Sequence, residues 1–497
     1  MGRFVLAIDA GTTSVRSMAF GKDGHAIASS QRPIMQIYPG DGMVEHDALE
    51  IRDAVIATLR ECLEMTGMDV SECDCIGMTN QRETTVVWDR RTGIPVHNAI
   101  VWQDRRTAGM CSAISELGYG EYILQKTGLQ VDSYFSGTKV RWILDNVGGA
   151  AEASGRGDLL FGTVDTWIIW CLTGGRVHVT DYTNASRTMM FDIAGLDWDD
   201  GLLDILGVPR CMLPDPVPSA TDIGTLDDDI LGGPVRIMSA IGDQQAALFG
   251  QGCFGEGDVK ITFGTGGFLL MNTGDSPAKP ASGILSTVAW GLGGRTTYAL
   301  EGSIYIAGAA IQWLRDDLQI IEESSETEAM AESVTDTCGC YIVPAFTGLG
   351  APYWVQNARG VITGLTRATN RCHIARAALE SIAFQAHDVI RAMESDSGKE
   401  ITSIRVDGGA SANNFLCQFL ADITGMTVER PECIESTALG AAYLAGLASG
   451  FWKDLDEVRY NWTLDRRFVP DMPQSTREDR LNGWKHAVRC SSMGIPQ

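Results

Sequence analysis

No uninterrupted apolar run among the 497 residues is long enough to cross a bilayer. The Ala- and Gly-rich stretch 438–450 comes nearest and is too short, so no membrane insertion is expected. Nothing at the N-terminus reads as a secretory leader, so none is expected: Arg3 is the only early cation, and Asp9 cuts the first apolar run short. Positive charge is scarce. Against 63 acidic residues stand 39 basic ones, a formal charge of −24. Such a surface repels nucleic acid and anionic lipid, which excludes a general binder of phosphate backbones. A small anionic ligand held by local N–H groups stays open. The 13 cysteines are odd in number and scattered. Cys73/Cys75 and Cys338/Cys340 are C-x-C pairs with no matching His or Cys set, so no zinc site is expected. Reduced thiols in a cytoplasmic chain are the simplest account.

What is present is apolar material, 44% of the residues, enough for two large cores in a chain too long for one. The chain opens on an apolar run, residues 4–8, stopped by Asp9 and by a small-residue turn from Ala10 to Ser14. Residues 15–20 leave that turn as a second strand. Gly and hydroxyl residues at a hairpin tip aim backbone N–H groups and Ser/Thr hydroxyls at one spot, a concavity suited to phosphate oxygens. Asp9 beside it suits the Mg²⁺ that a nucleoside triphosphate carries. Taken alone, the segment serves equally as an ordinary tight turn with an exposed Asp. Residues 259–268 repeat the form: a strand, the tip Gly264-Thr265-Gly266-Gly267, then Phe268. The chain therefore reads as two related halves, each with one phosphate-gripping turn. Residues 404–413 run strand, Gly408-Gly409, helix. Bared backbone there lets a nucleotide come close, although a plain strand–helix turn fits the motif as well.

Between these turns lie polar residues at the ends of apolar runs. A strand at 76–79 delivers Asn80-Gln81-Arg82-Glu83-Thr84, where a donor fork and an acceptor side by side suit the hydroxyls of a small polar ligand. By itself a surface ion pair is the simpler account. Trp102 follows an apolar run, and Tyr134 leaves a loop just before an amphipathic helix. Such rings are core more often than contact. A strand at 237–241 ends in Gly242-Asp243 at the mouth of a helix, where a carboxylate can point into a cleft. Asp47 and Glu50 form a capping pair for a helix whose buried face carries Ile51, Ala54, Val55, Thr58, Leu59 and Cys62. His46 belongs to that helix entry rather than to a metal site. Residues 161–170 and 177–190 read as strand and loop, 209–218 as a proline-rich surface connection. Residues 307–314 start a helix on small residues. The acidic run 322–332 is a solvated helix face, and residues 371–393 make a long amphipathic helix.

Two phosphate turns and a Gly-Gly turn for adenosine resemble the actin/hexokinase/Hsp70 nucleotide-binding fold. That is an α/β, ribonuclease H-like architecture of two domains with the ATP cleft between them. Within it the chain resembles the FGGY carbohydrate kinases. Residues 134–146 match the first family signature position by position, and residues 360–380 match the second, including Gly364-Leu365, His373 and Leu379-Glu380. The likeness runs from Phe4 to about Trp452. It implies an N-terminal domain, 1–250, with the polyol site and the first phosphate loop. A C-terminal domain, 251–497, would hold the second phosphate loop, the adenosine site and a helical tail.

In the branch of the family that acts on glycerol, the substrate is held by Arg-Glu, Trp, Tyr, Asp-Gln and Phe. The resemblance implies Arg82, Glu83, Trp102, Tyr134, Asp243, Gln244 and Phe268 in those places, with Asp243 as general base. For ATP and ADP it implies Thr12, Thr13, Ser14, Arg16, Thr265, Gly308, Gln312, Gly409 and Asn413, and for Mg²⁺ Asp9 and Asp243. The implied reaction moves the γ-phosphoryl group of ATP to a terminal hydroxyl of glycerol, giving sn-glycerol 3-phosphate in glycerol uptake and catabolism. Homodimers or homotetramers are implied too. Two positions depart from the family. Ala10 stands where many relatives carry Gln. The stretch Gly232-Gly233-Pro234-Val235-Arg236 is shorter than the loop with which some bacterial relatives bind fructose 1,6-bisphosphate, so that inhibition is not implied.

Overall fold

Two mixed sheets of the same topology carry the molecule, whose computed structural model describes residues 2–355, 357–433 and 435–493. In the first, the strand order is Ala26–Pro33, Ser14–Phe20, Phe4–Ala10, Cys73–Asn80, Arg236–Gly242 and Ala220–Thr225. Ser14–Phe20 is antiparallel to its neighbours, whereas Phe4–Ala10, Cys73–Asn80 and Arg236–Gly242 run parallel. In the second, Leu285–Leu292, Arg295–Ile304, Gly267–Gly274 and Val259–Phe263 form the antiparallel part. Ser403–Asp407 and Thr427–Pro431 follow in parallel, and Leu464–Phe468 closes the edge. Phe4–Ala10 and Val259–Phe263 occupy equivalent central places, so the two glycine-and-hydroxyl turns hang from equivalent hairpins.

Parallel register decides where chemistry can gather. Ala10 faces Asn80, and Gly242 faces Asn80 from the other side. The carboxyl ends of three parallel strands therefore present Asp9, the Gln81-Arg82-Glu83 segment and Asp243 along one rim, the usual place for a ligand in such sheets. The second sheet does the same with the tip after Phe263 and with Asp407, which is paired with Thr262.

The Ala- and Gly-rich stretch 438–450 finds its reason between the sheets. Helix Ser436–Ser449 lies against helix Asp243–Gly250 so closely that a Cβ on Gly440 would collide with the Ala246 carbonyl, and one on Gly250 with that of Ser436. Side chains of both sheets, among them Val5, Ala7 and Met238 from one and Leu270, Ala289 and Ala299 from the other, share one core with these helices. On the far side of the second sheet, helix Arg371–Ser397 buries Leu379, Ile382, Ala383, Phe384 and Ala386. Among the described residues, no helix is long and apolar enough to cross a membrane, and every cysteine described is free.

Several local expectations need correction. Residues 161–170 are mostly helix: strand Leu159–Gly162 gives way to helix Val164–Leu172. Its β-branched and aromatic residues have strand propensity, but burial of Val164, Trp167, Ile168 and Ile169 overrides it. Asp47 caps helix Ala48–Thr66 by accepting from the Leu49 N–H at 2.8 Å, yet Glu50 does not reach back. Its carboxylate takes the Met35 N–H instead, at 3.2 Å. The 209–218 connection is not wholly superficial either, since Met212 and Leu213 are buried and Asp215–Val217 pairs with Val179–Asp181.

Candidate active site

Arg82 and Glu83 are not a surface ion pair. Both are buried, with Nε and Oε1 4.0 Å apart. Glu83 holds φ at 60°, a left-handed backbone that a non-glycine residue adopts at a cost of roughly 1–3 kcal/mol. That turn swings its carboxylate to the same side as Arg82, and its carbonyl is fixed by the Ser136 hydroxyl at 2.9 Å. From the neighbouring strand end, the Asp243 carboxylate forms an ion pair with Arg82, Oδ1 lying 3.1 Å from Nε. The Asp243 side chain keeps 29% of its surface, against 2% for Arg82, so its carboxylate looks into open space from the Arg82 edge.

Aromatic rings close one side. Trp102 meets Tyr134 edge-on at 5.6 Å and Phe268 at 6.3 Å. Phe268 comes from the second hairpin, so the apolar wall joins the two halves. Trp102 also donates from its indole N–H to Thr12 Oγ1 at 2.9 Å, which ties the wall to the first hairpin tip.

That first tip is held from outside. Gln81 donates its side-chain amide to the Gly11 carbonyl at 3.1 Å and its backbone N–H to the Ala10 carbonyl at 2.8 Å. Gln36 donates to the Thr12 carbonyl at 2.9 Å, and His46, buried between the two glutamines, bonds Gln36 at 3.0 Å and Gln81 at 3.3 Å. Burial lowers the His46 pKa to about 4, so the ring is neutral. Thr13 is exposed, and Thr12 and Ser14 are half-buried. Arg16 sits between Glu435 at 2.6 Å and Asp9 at 3.7 Å. Burial raises the Asp9 carboxyl to about 6; Arg16 opposes that rise, and the charges of Asp243 and Glu435 add to it. Asp9 and Asp243 are thus two acid groups repelling each other across one space.

In the second half Thr265 is exposed at the hairpin tip. Gly308 opens helix Gly308–Asp316 with its N–H on the Gly264 carbonyl at 3.0 Å, where a Cβ would stand 2.6 Å from that oxygen. Close packing alone therefore requires a glycine there. Gln312 is exposed on the same helix. Gly409 is exposed, with nothing within 4 Å of where its Cβ would be, leaving bare backbone for a ligand. Asn413 caps helix Asn414–Thr424 through the Leu416 N–H at 2.9 Å.

Three residues of this site, Arg187, Glu301 and Lys260, carried no motif and were not foreseen. Arg187 is fully buried, with Nε on Glu83 at 2.6 Å and Nη2 on Glu301 at 3.1 Å. Glu301, also fully buried, receives both Nη groups of Arg82, and Gln245 takes one of them at 3.1 Å. Lys260 donates to Gln244 Oε1 at 2.6 Å and to Thr262 at 2.9 Å from a fully buried place, and burial lowers its pKa to about 8. Gln244, expected on the substrate, is thereby oriented by a cation behind it.

Two family models cover most of the chain: the N-terminal domain of the FGGY family of carbohydrate kinases matches residues 4–250, and the C-terminal domain matches residues 259–449. The chain belongs to the FGGY family of carbohydrate kinases. Among its relatives in that family is glycerol kinase 2 of Thermotoga maritima, 56% identical over 489 residues, which are 98% of this chain and 99% of that one. Glycerol kinase of Bacillus subtilis is 53% identical over 492 residues, 99% of each chain. A crystal structure of Plasmodium falciparum glycerol kinase with ADP superimposes with a TM-score of 0.93 at 34% identity, covering 99% of both chains. The two-domain, actin-like α/β fold is that of the FGGY kinases.

Proposed function

We infer that the chain transfers the γ-phosphoryl group of ATP to a terminal hydroxyl of glycerol, giving sn-glycerol 3-phosphate and ADP in glycerol metabolism. Supporting this above all is the Arg82–Asp243 contact at 3.1 Å, facing an aromatic wall, in a chain more than half identical to named glycerol kinases. Arg82 and Glu83 hold the hydroxyls that do not react, one as donor and one as acceptor. Trp102, Tyr134 and Phe268 cover the carbon edge and leave room for three carbons. Gln244, with its oxygen taken by Lys260, offers its N–H₂ end to the substrate.

Phosphoryl transfer asks for in-line positioning and charge neutralisation more than covalent help. Asp243 accepts the proton of the attacking hydroxyl, a step worth typically ~10²–10⁴-fold. Thr12, Thr13, Ser14 and Thr265 take the phosphates at the two tips, Arg16 exchanges Glu435 for phosphate oxygen, and Gly308, Gln312, Gly409 and Asn413 line the adenosine side. Among the described residues no group of three or more His, Cys, Asp or Glu could hold a metal ion. Mg²⁺ needs only one or two carboxylates when phosphates and water complete its shell. Asp9 and Asp243 fit that, since a divalent cation would relieve their mutual repulsion. When bound, Mg²⁺ neutralises charge on the β- and γ-phosphate oxygens. Closure of residues 1–250 on residues 251–497 excludes water as a competing nucleophile. A cytoplasmic homodimer or homotetramer belongs to the same reading.

The test is product identity with purified chain and Mg·ATP, offered glycerol beside four- and five-carbon polyols. Formation of sn-glycerol 3-phosphate in preference to the longer products supports the reading. Better turnover of a longer polyol, or ATP hydrolysis indifferent to any polyol, would replace it.

A further inference from the structure

Glu301 occupies the middle of strand Arg295–Ile304, between Leu270 and Leu285 on the flanking strands. A carboxylate at such a place, fully buried in an apolar sheet, is expensive unless it is paired and hydrogen-bonded. Its partners both come from the other half of the chain. Arg82 donates from Nη1 and Nη2 to the two carboxylate oxygens, and Arg187 adds Nη2 to Oε1 at 3.1 Å. Burial by itself would raise the Glu301 carboxyl, but Arg187 and Arg82 outweigh it and hold it at about 2. Two guanidiniums and two carboxylates, Arg82, Arg187, Glu83 and Glu301, thus balance in one buried cluster.

The geometry of Arg82 shows what this arrangement achieves. A two-pronged bond fixes the plane of a guanidinium, not only its position. With both Nη groups committed to Glu301, the Nε edge is left toward Asp243 at 3.1 Å, the edge that borders the open space. Arg187 acts in the same way one step further out, fixing Glu83 at 2.6 Å while its guanidinium lies 5.6 Å from the Tyr134 ring.

We propose that Glu301 is a positioning residue for the polyol site: from the second half it sets the plane of Arg82, and through it Asp243, with Arg187 as the counter-charge that also seats Glu83. The second half then supplies the polyol site with part of its charged frame as well as with Phe268. This rests on the glycerol kinase reading above, because the loss is measured on glycerol.

The experiment is steady-state kinetics of the full chain with Glu301→Asp and Glu301→Gln. Glu301→Asp keeps the charge and withdraws the carboxylate by one methylene. A displacement of that size at a reacting geometry lowers kcat/KM for glycerol by about 10²-fold. Both KM for glycerol and kcat contribute, while KM for ATP stays within about twofold, since neither Arg82 nor Glu301 hydrogen-bonds a residue assigned to the phosphates or adenosine. Glu301→Gln is expected to lose at least as much. If Glu301→Asp matches the wild type on glycerol, any buried charge suffices and the proposal falls. It falls equally if the variant does not fold, which would make Glu301 a stability residue, or if the loss lies in KM for ATP. A wild-type chain that leaves glycerol unphosphorylated would instead sink the reading of function.

Discussion

The tip of the first hairpin is stapled by side chains that come from elsewhere, whereas the second is held by backbone. Gln81, Gln36 and Trp102 all reach the Ala10–Ser14 turn, with His46 behind the two glutamines. At the second tip, Gly264 N–H bonds the Gly266 carbonyl at 2.9 Å, and the Ala307, Gly308 and Ala309 N–H groups take the carbonyls of Thr265 and Gly264. Equivalent strands in equivalent sheets thus carry loops with different dependencies. The first loop is mechanically joined to the aromatic wall through Trp102, and to acidity through His46. The second depends on close backbone packing and on nothing that titrates. In this account the first half supplies the chemistry, and the second supplies a rigid seat for the nucleotide together with one carboxylate, Glu301.

That contrast can be broken most forcibly at Asp243. Asp243→Asn is expected to lower kcat by ~10²–10⁴-fold with affinity for metal-free ADP changed far less, measured by kinetics beside calorimetry. Turnover surviving within a few-fold would remove the chemistry from the first half. Next in size is the acid sensitivity of the first loop. Unfolded chain takes up a proton on His46 near its ordinary value of 6.5, but the folded chain resists until about 4. The stabilisation is complete above the unfolded value and is lost as pH falls through that window, amounting to ~3 kcal/mol at ~1.4 kcal/mol per unit. Denaturant titrations at pH 7 and pH 4 should show that His46→Gln flattens this decline. His178, also lowered to about 4 by burial, keeps its share in both proteins.

A smaller effect is expected at the second tip. Gly308→Ala places a Cβ 2.6 Å from the Gly264 carbonyl oxygen, and the backbone must yield. Overpacking of that kind costs ~1–3 kcal/mol, so KM for ATP should rise about tenfold with KM for glycerol little changed. If glycerol affinity suffers equally, the seats are not separate. Smallest is Trp102→Phe, which keeps the ring wall but loses the bond to Thr12. At ~1 kcal/mol it should raise KM for glycerol and for ATP together, each several-fold. An effect on glycerol alone would deny that the wall and the first loop are joined.

How much of this is legible in sequence follows from the range of each interaction. The hairpins, the Gly408-Gly409 turn and the buried face of helix Ala48–Thr66 are written in neighbouring residues, and local pattern finds them. Arg82 and Glu83 stand out because donor and acceptor are adjacent at a strand end. Glu301 does not: a single acidic residue in Tyr-Ala-Leu-Glu-Gly-Ser has no local signal, and its meaning arises only when Arg82 and Arg187, 219 and 114 residues away, fold onto it. Arg187 was hidden in a polar stretch read as loop that proves to be buried. Its Nη1, which lacks a hydrogen-bond partner at full burial, marks it only in three dimensions.

The most direct measurement is a crystal structure of the chain with glycerol, Mg²⁺ and a non-hydrolysable ATP analogue. The account predicts a terminal glycerol oxygen within about 2.6–3.2 Å of the Asp243 carboxylate, turned toward the γ-phosphorus. Glycerol seated away from Asp243, or a γ-phosphate on the opposite side of the cleft from that hydroxyl, would contradict it.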